Sequence, residues 1–283
     1  MKKILICTGG TGGHIFPAIS LAEYLEKKNF NVDFITDYRA KKFINNINLK
    51  KINFINVKTP TGKKGLGLIY SIFLIFISFL YSIFFLLLKK PQLIIGSGGY
   101  VSFPILLAAR LLKKKFVIYE TNSVVGRVNK FFLNSSTKIF TGYPLKNLNI
   151  SNDKVTFVGQ LIREQIYLAK VNNYFKKDDN FDFTLLIIGG SQGAEIFSKT
   201  LPQSLNKLFN LNKKIRIFHQ VGNKEQELKI DFSYKNNPNV AFFNFEPNIE
   251  KYMMLSDLVI TRAGSSTLSE LAYLQIPFIA IPF

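Results

Sequence analysis

His14 closes the run Gly9-Gly10-Thr11-Gly12-Gly13 and is the only side chain there able to exchange a proton near neutral pH. Ahead of it, Lys2 to Thr8 is an apolar run with β character. After it, Ile15, Ile19, Leu21, Ala22 and Leu25 recur at helical spacing. A strand, a glycine turn and a helix start are therefore expected in succession. Glycines leave main-chain amides open, and a helix N-terminus carries partial positive charge, so an anionic or sugar ligand fits such a turn. The plain structural alternative is a βα turn with a capping histidine. The dinucleotide fingerprint is not met, because its third glycine falls on Ile15, and no Gly-Lys-Ser/Thr completes a P-loop.

Four further clusters repeat the theme. Gly98-Gly99-Tyr100-Val101-Ser102 follows an apolar run and makes a second glycine turn. Glu120 and Asn122 follow another, where a carboxylate and an amide can bind sugar hydroxyls or orient an imidazole; ordinary turn chemistry is the alternative. Gly189-Gly190-Ser191-Gln192-Gly193-Ala194 again offers amides suited to a diphosphate. Arg262 to Glu270 (RAGSSTLSE) opens a hydroxyl-rich helix that could receive phosphate, with Glu270 accepting from a ribose diol. Thr267 and Glu270 also stand at capping-box spacing, and the local pattern by itself favours that cap.

The elements that must position these residues alternate. Strands are expected at 3–8, 31–36, 92–95, 116–119, 139–141 and 156–158, then at 183–188, 215–220, 240–243, 258–261 and 278–281. Alternating strands and helices imply an α/β chain with parallel sheets covered on both faces. Phe181 to Ala194 restarts the strand–glycine–helix motif, so two Rossmann-like doubly wound domains are expected, 1–165 and 166–283. Ligands are expected at the carboxyl ends of the strands, in a cleft between the domains, and the polar stretch 170–182 is a plausible linker.

The formal charge is +19, which suits an anionic partner. No zinc-ligand cluster, aromatic RNA-binding motif or homeodomain-like helix accompanies it, so nucleic acid is not expected. Lysines gather instead beside apolar segments, at 63–64, 89–90 and 113–115. Residues 65–88 contain no charged side chain, enough helix to cross a bilayer core at about 1.5 Å per residue. A crossing would put the two N-terminal glycine turns in different compartments. A helix lying in the interface is preferred, with lysines meeting anionic head groups of the inner leaflet; a true span and a purely buried core helix are the alternatives. The single cysteine, Cys7, reads as a small buried hydrophobe, and with no signal peptide expected a reducing cytoplasmic setting follows.

Taken in order and spacing, GGTGGHIFPA, GGYVS, YETN, GGSQGA and RAGSSTLSE closely resemble the MurG family, the membrane-associated N-acetylglucosaminyltransferases of peptidoglycan synthesis. The resemblance covers essentially the whole chain. It implies a GT-B fold, no metal or other cofactor, and inverting transfer of N-acetylglucosamine from UDP-GlcNAc to lipid I at a cell membrane. It assigns His14 as base, with Glu120 as its orienting group or an alternative base. Thr11, Gly12, Gly13 and Asn122 would touch the donor sugar or its phosphates, Arg163 matches the family's arginine, and Ser191 its diphosphate-loop serine. Ser265, Ser266, Thr267, Leu268, Ser269 and Glu270 would wrap the uridine diphosphate. The chain departs from the family at Tyr119 (usually His), at Gly159-Gln160-Leu161-Ile162-Arg163 (usually with Asn-Pro) and at Glu246 (usually apolar, against the uracil). Because the sequence stops after the strand at 278–281, a C-terminally truncated copy is expected. The rival readings are another lipid-directed UDP-sugar glycosyltransferase, an inactive membrane-docking fragment, and an NAD(P)-dependent oxidoreductase, which Ile15 argues against.

Overall fold

The computed structural model describes residues 2–44, 49–145, 151–190, 195–211 and 213–282. The chain forms two compact units, Met1–Leu161 and Ile162–Phe283. In the first, seven parallel strands, β1 Lys3–Cys7, β2 Asn31–Thr36, β3 Ile52–Phe54, β4 Leu93–Gly96, β5 Phe116–Glu120, β6 Ile139–Thr141 and β7 Val155–Phe157, lie in the order β3-β2-β1-β4-β5-β6-β7. Its helices are α1 Gly12–Lys27, α2 Lys41–Ile44, α3 Leu66–Lys89, α4 Ser102–Leu111 and α5 Arg127–Phe132. The chain winds outward from β1 in one direction and from β4 in the other. The loops leaving these two adjacent strands therefore lead to helices in opposite directions, which puts the ligand-binding position of such a fold at their carboxyl ends. The turns at Gly9–Gly13 and Gly98–Gly99 are those two loops.

The second unit repeats the plan. Its strands β8 Phe183–Ile188, β9 Ile215–Gln220, β10 Val240–Phe243, β11 Leu258–Arg262 and β12 Phe278–Ile281 run parallel in the order β10-β9-β8-β11-β12. Its helices are α6 Glu164–Asn172, α7 Glu195–Asn206, α8 Lys224–Leu228, α9 Phe232–Lys235, α10 Ile249–Leu255 and α11 Ser265–Leu274. The reversal falls between β8 and β11, which puts Gly189-Gly190 and the Arg262–Gly264 turn at its switch point. In both sheets the central strands are apolar at consecutive positions because both faces are covered: Leu5, Ile6 and Cys7 are all fully buried, as are Leu186 and Ile187.

Two expectations need correction. Strand β3 was not foreseen: its three residues INF are each half-buried at the sheet edge, and three positions are too short a run for a strand pattern to register. The stretch 170–182 is not a linker. Its start belongs to α6, whose Ile166 and Ala169 are buried, and Ile166 packs with Leu186, Met253 and Leu271 of the second unit. Lys170 Nζ also donates to the Tyr273 carbonyl.

Helix α3 is the crossover between β3 and β4, two strands of one sheet, so it cannot span a bilayer while that sheet is intact. Its polarity is inverted relative to a soluble crossover helix. Ser71, Ser78 and Ser82 face the protein and are satisfied locally, donating to Gly67 O at 2.9 Å, Asn56 O at 3.1 Å and Ser78 O at 2.6 Å. Ile69, Phe73, Phe76, Leu80 and Phe84 are each at least half exposed. Such a continuous apolar face is not stable against water and marks an interaction surface.

Cys7 is buried, and burial pushes its thiol up to about 12. His219 on β9 is fully buried; its Nδ1 lies 3.1 Å from the Tyr234 hydroxyl, while Nε2 has no partner. Burial lowers its pKa to about 4. The folded protein thus holds His219 neutral, while an unfolded chain protonates it below about 6.5. Stability is present above that value and is lost as pH falls toward 4, amounting to about 3 kcal/mol across the window. Urea unfolding of the wild type and of His219→Phe at pH 7 and 4.5 checks this. The acid-induced loss should shrink in the variant; an identical loss would refute it.

Candidate active site

The two glycine turns of the first unit cross in direct backbone contact. Gly9 N–H donates to Gly98 O at 3.0 Å. A Cβ on Gly9 would lie 2.8 Å from Gly99 Cα, and one on Gly99, which has φ +76°, would lie 2.6 Å from Gly9 Cα. Only glycine permits this approach. Gly98 also packs on the imidazole, since a Cβ there would lie 3.0 Å from His14 Cε1. Helix α1 is entered through Thr11 in extended conformation with no side-chain cap, so His14 sits two residues inside the helix and is not a capping residue. Thr8 Oγ1 donates to His14 O at 3.1 Å, and Thr121 Oγ1 lies 3.3 Å from Nδ1. Burial lowers the His14 pKa, opposed by the Glu120 charge and a hydrogen bond to the Ser97 main chain. Its imidazole is therefore neutral at pH 7, the form that accepts a proton.

Glu120, at the end of β5, is fully buried, and its carboxylate accepts four hydrogen bonds. Oε1 takes Asn122 N at 3.0 Å and Asn122 Nδ2 at 3.1 Å; Oε2 takes Gly126 N at 2.9 Å and Asn129 Nδ2 at 2.8 Å. Both oxygens are thus spent on holding the loop from Asn122 to Asn129. This arrangement suits an orienting carboxylate far better than a base. Tyr119, in the place of the family's histidine, braces Gly159–Leu161: its hydroxyl accepts from Leu161 N at 3.1 Å and lies 3.2 Å from Gly159 O. Burial pushes this phenol up to about 12.

A cavity of about 380 Å³ opens beside His14, lined among others by Gly9, Thr11, Gly98, Tyr100, Arg127 and Asn129. Asn129 was missed by sequence reasoning. It is buried on α5, and its Oδ1 has no partner; flanked by Arg127 and Lys130 in RVNKFF, it reads locally as one more polar surface residue. Arg39 and Arg127 also went unnoticed. Arg39 is tied to Asp37 Oδ2 through Nε at 2.9 Å. Arg127 Nη1 donates to Thr61 Oγ1 at 3.1 Å. Thr11 is exposed, and space is open around Gly13.

In the second unit, Arg163 at the N-cap of α6 meets Glu270 on α11 side-on, Nε to Oε1 at 2.7 Å and Nη2 to Oε2 at 2.8 Å, both side chains buried. Burial works against the guanidinium charge, and the Glu270 carboxylate outweighs it, leaving Arg163 more basic than usual. The expected capping box at Thr267 and Glu270 does not form. Helix α11 begins earlier, at Ser265 with Gly264 as N-cap, and Glu270 is drawn to Arg163. Ser265 to Ser269 line the first turns of α11, each half-buried. Glu246 folds back on its own loop, accepting from Asn248 N at 2.8 Å. Ser191 lies outside the described residues.

The model of the glycosyltransferase family 28 N-terminal domain matches residues 4–141, and that of the family 28 C-terminal domain matches residues 184–283. The chain belongs to glycosyltransferase family 28. Among similar family members, a Pelagibacter ubique protein is 38% identical over 289 residues, covering 99% of this chain and 77% of that protein. A Rickettsia felis protein is 37% identical over 302 residues, covering 100% of this chain and 79% of its own length. Both are named UDP-N-acetylglucosamine–N-acetylmuramyl-(pentapeptide) pyrophosphoryl-undecaprenol N-acetylglucosamine transferase. The crystal structure of Acinetobacter baumannii MurG superposes with a TM-score of 0.69 at 24% identity, over 100% of this chain and 80% of that one. That likeness shows the shared family 28 fold.

Proposed function

We propose that this glycosyltransferase moves N-acetylglucosamine from UDP-GlcNAc to the C4 hydroxyl of undecaprenyl-pyrophosphoryl-MurNAc-pentapeptide, lipid I, giving lipid II for peptidoglycan synthesis. The observation that carries the substrate reading is the likeness to transferases of that name over 99% or more of the chain. The first-unit cavity supplies compatible chemistry. In a single displacement the acceptor oxygen bonds to the anomeric carbon as the bond from that carbon to UDP breaks, with inversion. The acceptor proton passes to the neutral imidazole of His14. Glu120 keeps the loop from Asn122 to Asn129 in place and supports the imidazolium that forms. Thr11, Gly12, Gly13 and Asn122 are assigned to the donor sugar and its phosphates. Ser191, Arg163 and Ser265 to Glu270 are assigned to the uridine diphosphate, where negative charge develops. Incubating the protein with radiolabelled UDP-GlcNAc and lipid I tests the reading: labelled lipid II is expected, and its absence, with label going to a diacylglycerol acceptor instead, would favour another lipid-directed transferase.

The same reading places the protein on the cytoplasmic face of the cell membrane, docked through the apolar face of α3 with Lys63, Lys64, Lys89 and Lys90 toward anionic head groups. Phe73→Glu/Phe76→Glu should weaken sedimentation with phosphatidylglycerol-containing vesicles by at least tenfold while leaving the far-ultraviolet spectrum unchanged. Binding unaffected by the pair of charges would remove α3 from the docking surface.

A further inference from the structure

An acceptor built as a sugar on a diphosphate and a prenyl tail carries its negative charge at one depth, where a cation adds charge-assisted bonds to those of main-chain amides. The cavity beside His14 has two arginines in its wall, Arg39 and Arg127. Arg39 is neutralised by Asp37, whose Oδ2 takes both Nε and Nη2. Arg127 pairs with no carboxylate among the described residues, and it bonds to neutral hydroxyls, those of Thr61 and Tyr100. Thr61 in turn contacts the Tyr100 hydroxyl, and the Arg127 charge is felt at that phenol.

Location supports the same conclusion. The segment carrying Thr61 leads directly into α3 and is laced to it: Lys63 Nζ donates to Ser71 Oγ at 3.1 Å, and Lys58 Nζ lies 5.0 Å from the centre of the Tyr70 ring. The cavity mouth therefore adjoins the exposed apolar face. A ligand with an anionic head at Arg127 has its hydrocarbon tail beside α3, and its sugar can extend inward to the unpartnered Oδ1 of Asn129 and to His14.

We propose that Arg127 is the residue that receives the diphosphate of the lipid-linked acceptor at the mouth of this cavity. This rests on the acceptor class given above. A guanidinium meets a diphosphate through paired, charge-assisted hydrogen bonds, so its loss should weaken binding by about tenfold or more.

The test is binding, kept separate from turnover. Calorimetry measures geranyl diphosphate, geranyl monophosphate and UDP against the wild type, Arg127→Gln and Arg127→Lys. Arg127→Gln should weaken the diphosphate by about tenfold or more, the monophosphate less, and UDP within twofold, with Arg127→Lys intermediate. Equal weakening of both prenyl ligands would reduce Arg127 to a brace for Thr61 and overturn the proposal. So would loss of UDP affinity alone, which would give the residue to the donor, and so would unchanged binding of every ligand. A wild type that binds the prenyl diphosphate through Arg127 yet makes no lipid II would leave this inference standing and sink the proposed reaction.

Discussion

Replacing His14 by alanine should lower kcat for transfer to the lipid acceptor by about 10²–10⁴-fold, the range for loss of a positioned general base, while the melting temperature changes little. The imidazole is half-buried against Gly98, touches Thr121 and caps nothing, so its removal leaves the glycine crossing intact. Burial favours the neutral ring. The acid limb of kcat/KM should therefore lie below the ordinary histidine value of about 6.5, with activity full at pH 7 and lost as the ring protonates. Glu120→Gln removes the charge that opposes this effect, so in that variant the acid limb should move to still lower pH. Turnover by His14→Ala within a few-fold of the wild type, or an acid limb unmoved by Glu120→Gln, would exclude this imidazole as the base.

Arg163→Met should destabilise the second unit by about 3–5 kcal/mol, the usual result of stripping one partner from a buried ion pair. Glu270 is left with a buried charge and two unsatisfied oxygens, and Glu250, itself buried with an unpartnered Oε2, loses the nearby cation. The double variant Arg163→Met/Glu270→Leu should recover much of the loss, because two apolar groups of similar size need no counter-charge. Urea unfolding followed by circular dichroism measures both. A double variant as unstable as the single one would show that the damage is to packing rather than to charge. UDP-GlcNAc KM, measured on a protein that still folds, should rise in both variants, since each disturbs the Glu270 carboxylate.

The sequence carried most of the architecture because the central strands declare themselves. Runs such as LLII and the glycine turns after them need no partner to be recognised, and Phe183–Ile188 and Ile215–Gln220 form as the pattern predicts. Edge strand β3 escaped because three residues are too few for a period of two to stand out. The pairing of glycine turns was implied by order alone, but their crossing at Gly9 and Gly99 is a contact across 90 residues that no local pattern encodes. Glu270 illustrates the limit most directly. Its spacing from Thr267 gives a complete local explanation, and that explanation fails because Arg163, 107 positions away, competes for the same carboxylate and wins by a bidentate, buried geometry.

From residue order alone came the alternating α/β plan, the glycine turns, the histidine that follows the first of them and the uncharged helix at 65–88, since each depends on neighbours close in the chain. Folding decided the rest. It turned the serines of α3 inward and Phe73, Phe76 and Phe84 outward, filled the Glu120 carboxylate with loop hydrogen bonds, and set Arg127 at the mouth of a cavity beside His14. Those outcomes depend on which distant group reaches a polar atom first and on which face is left uncovered. Both are properties of packing, and a linear pattern does not contain them.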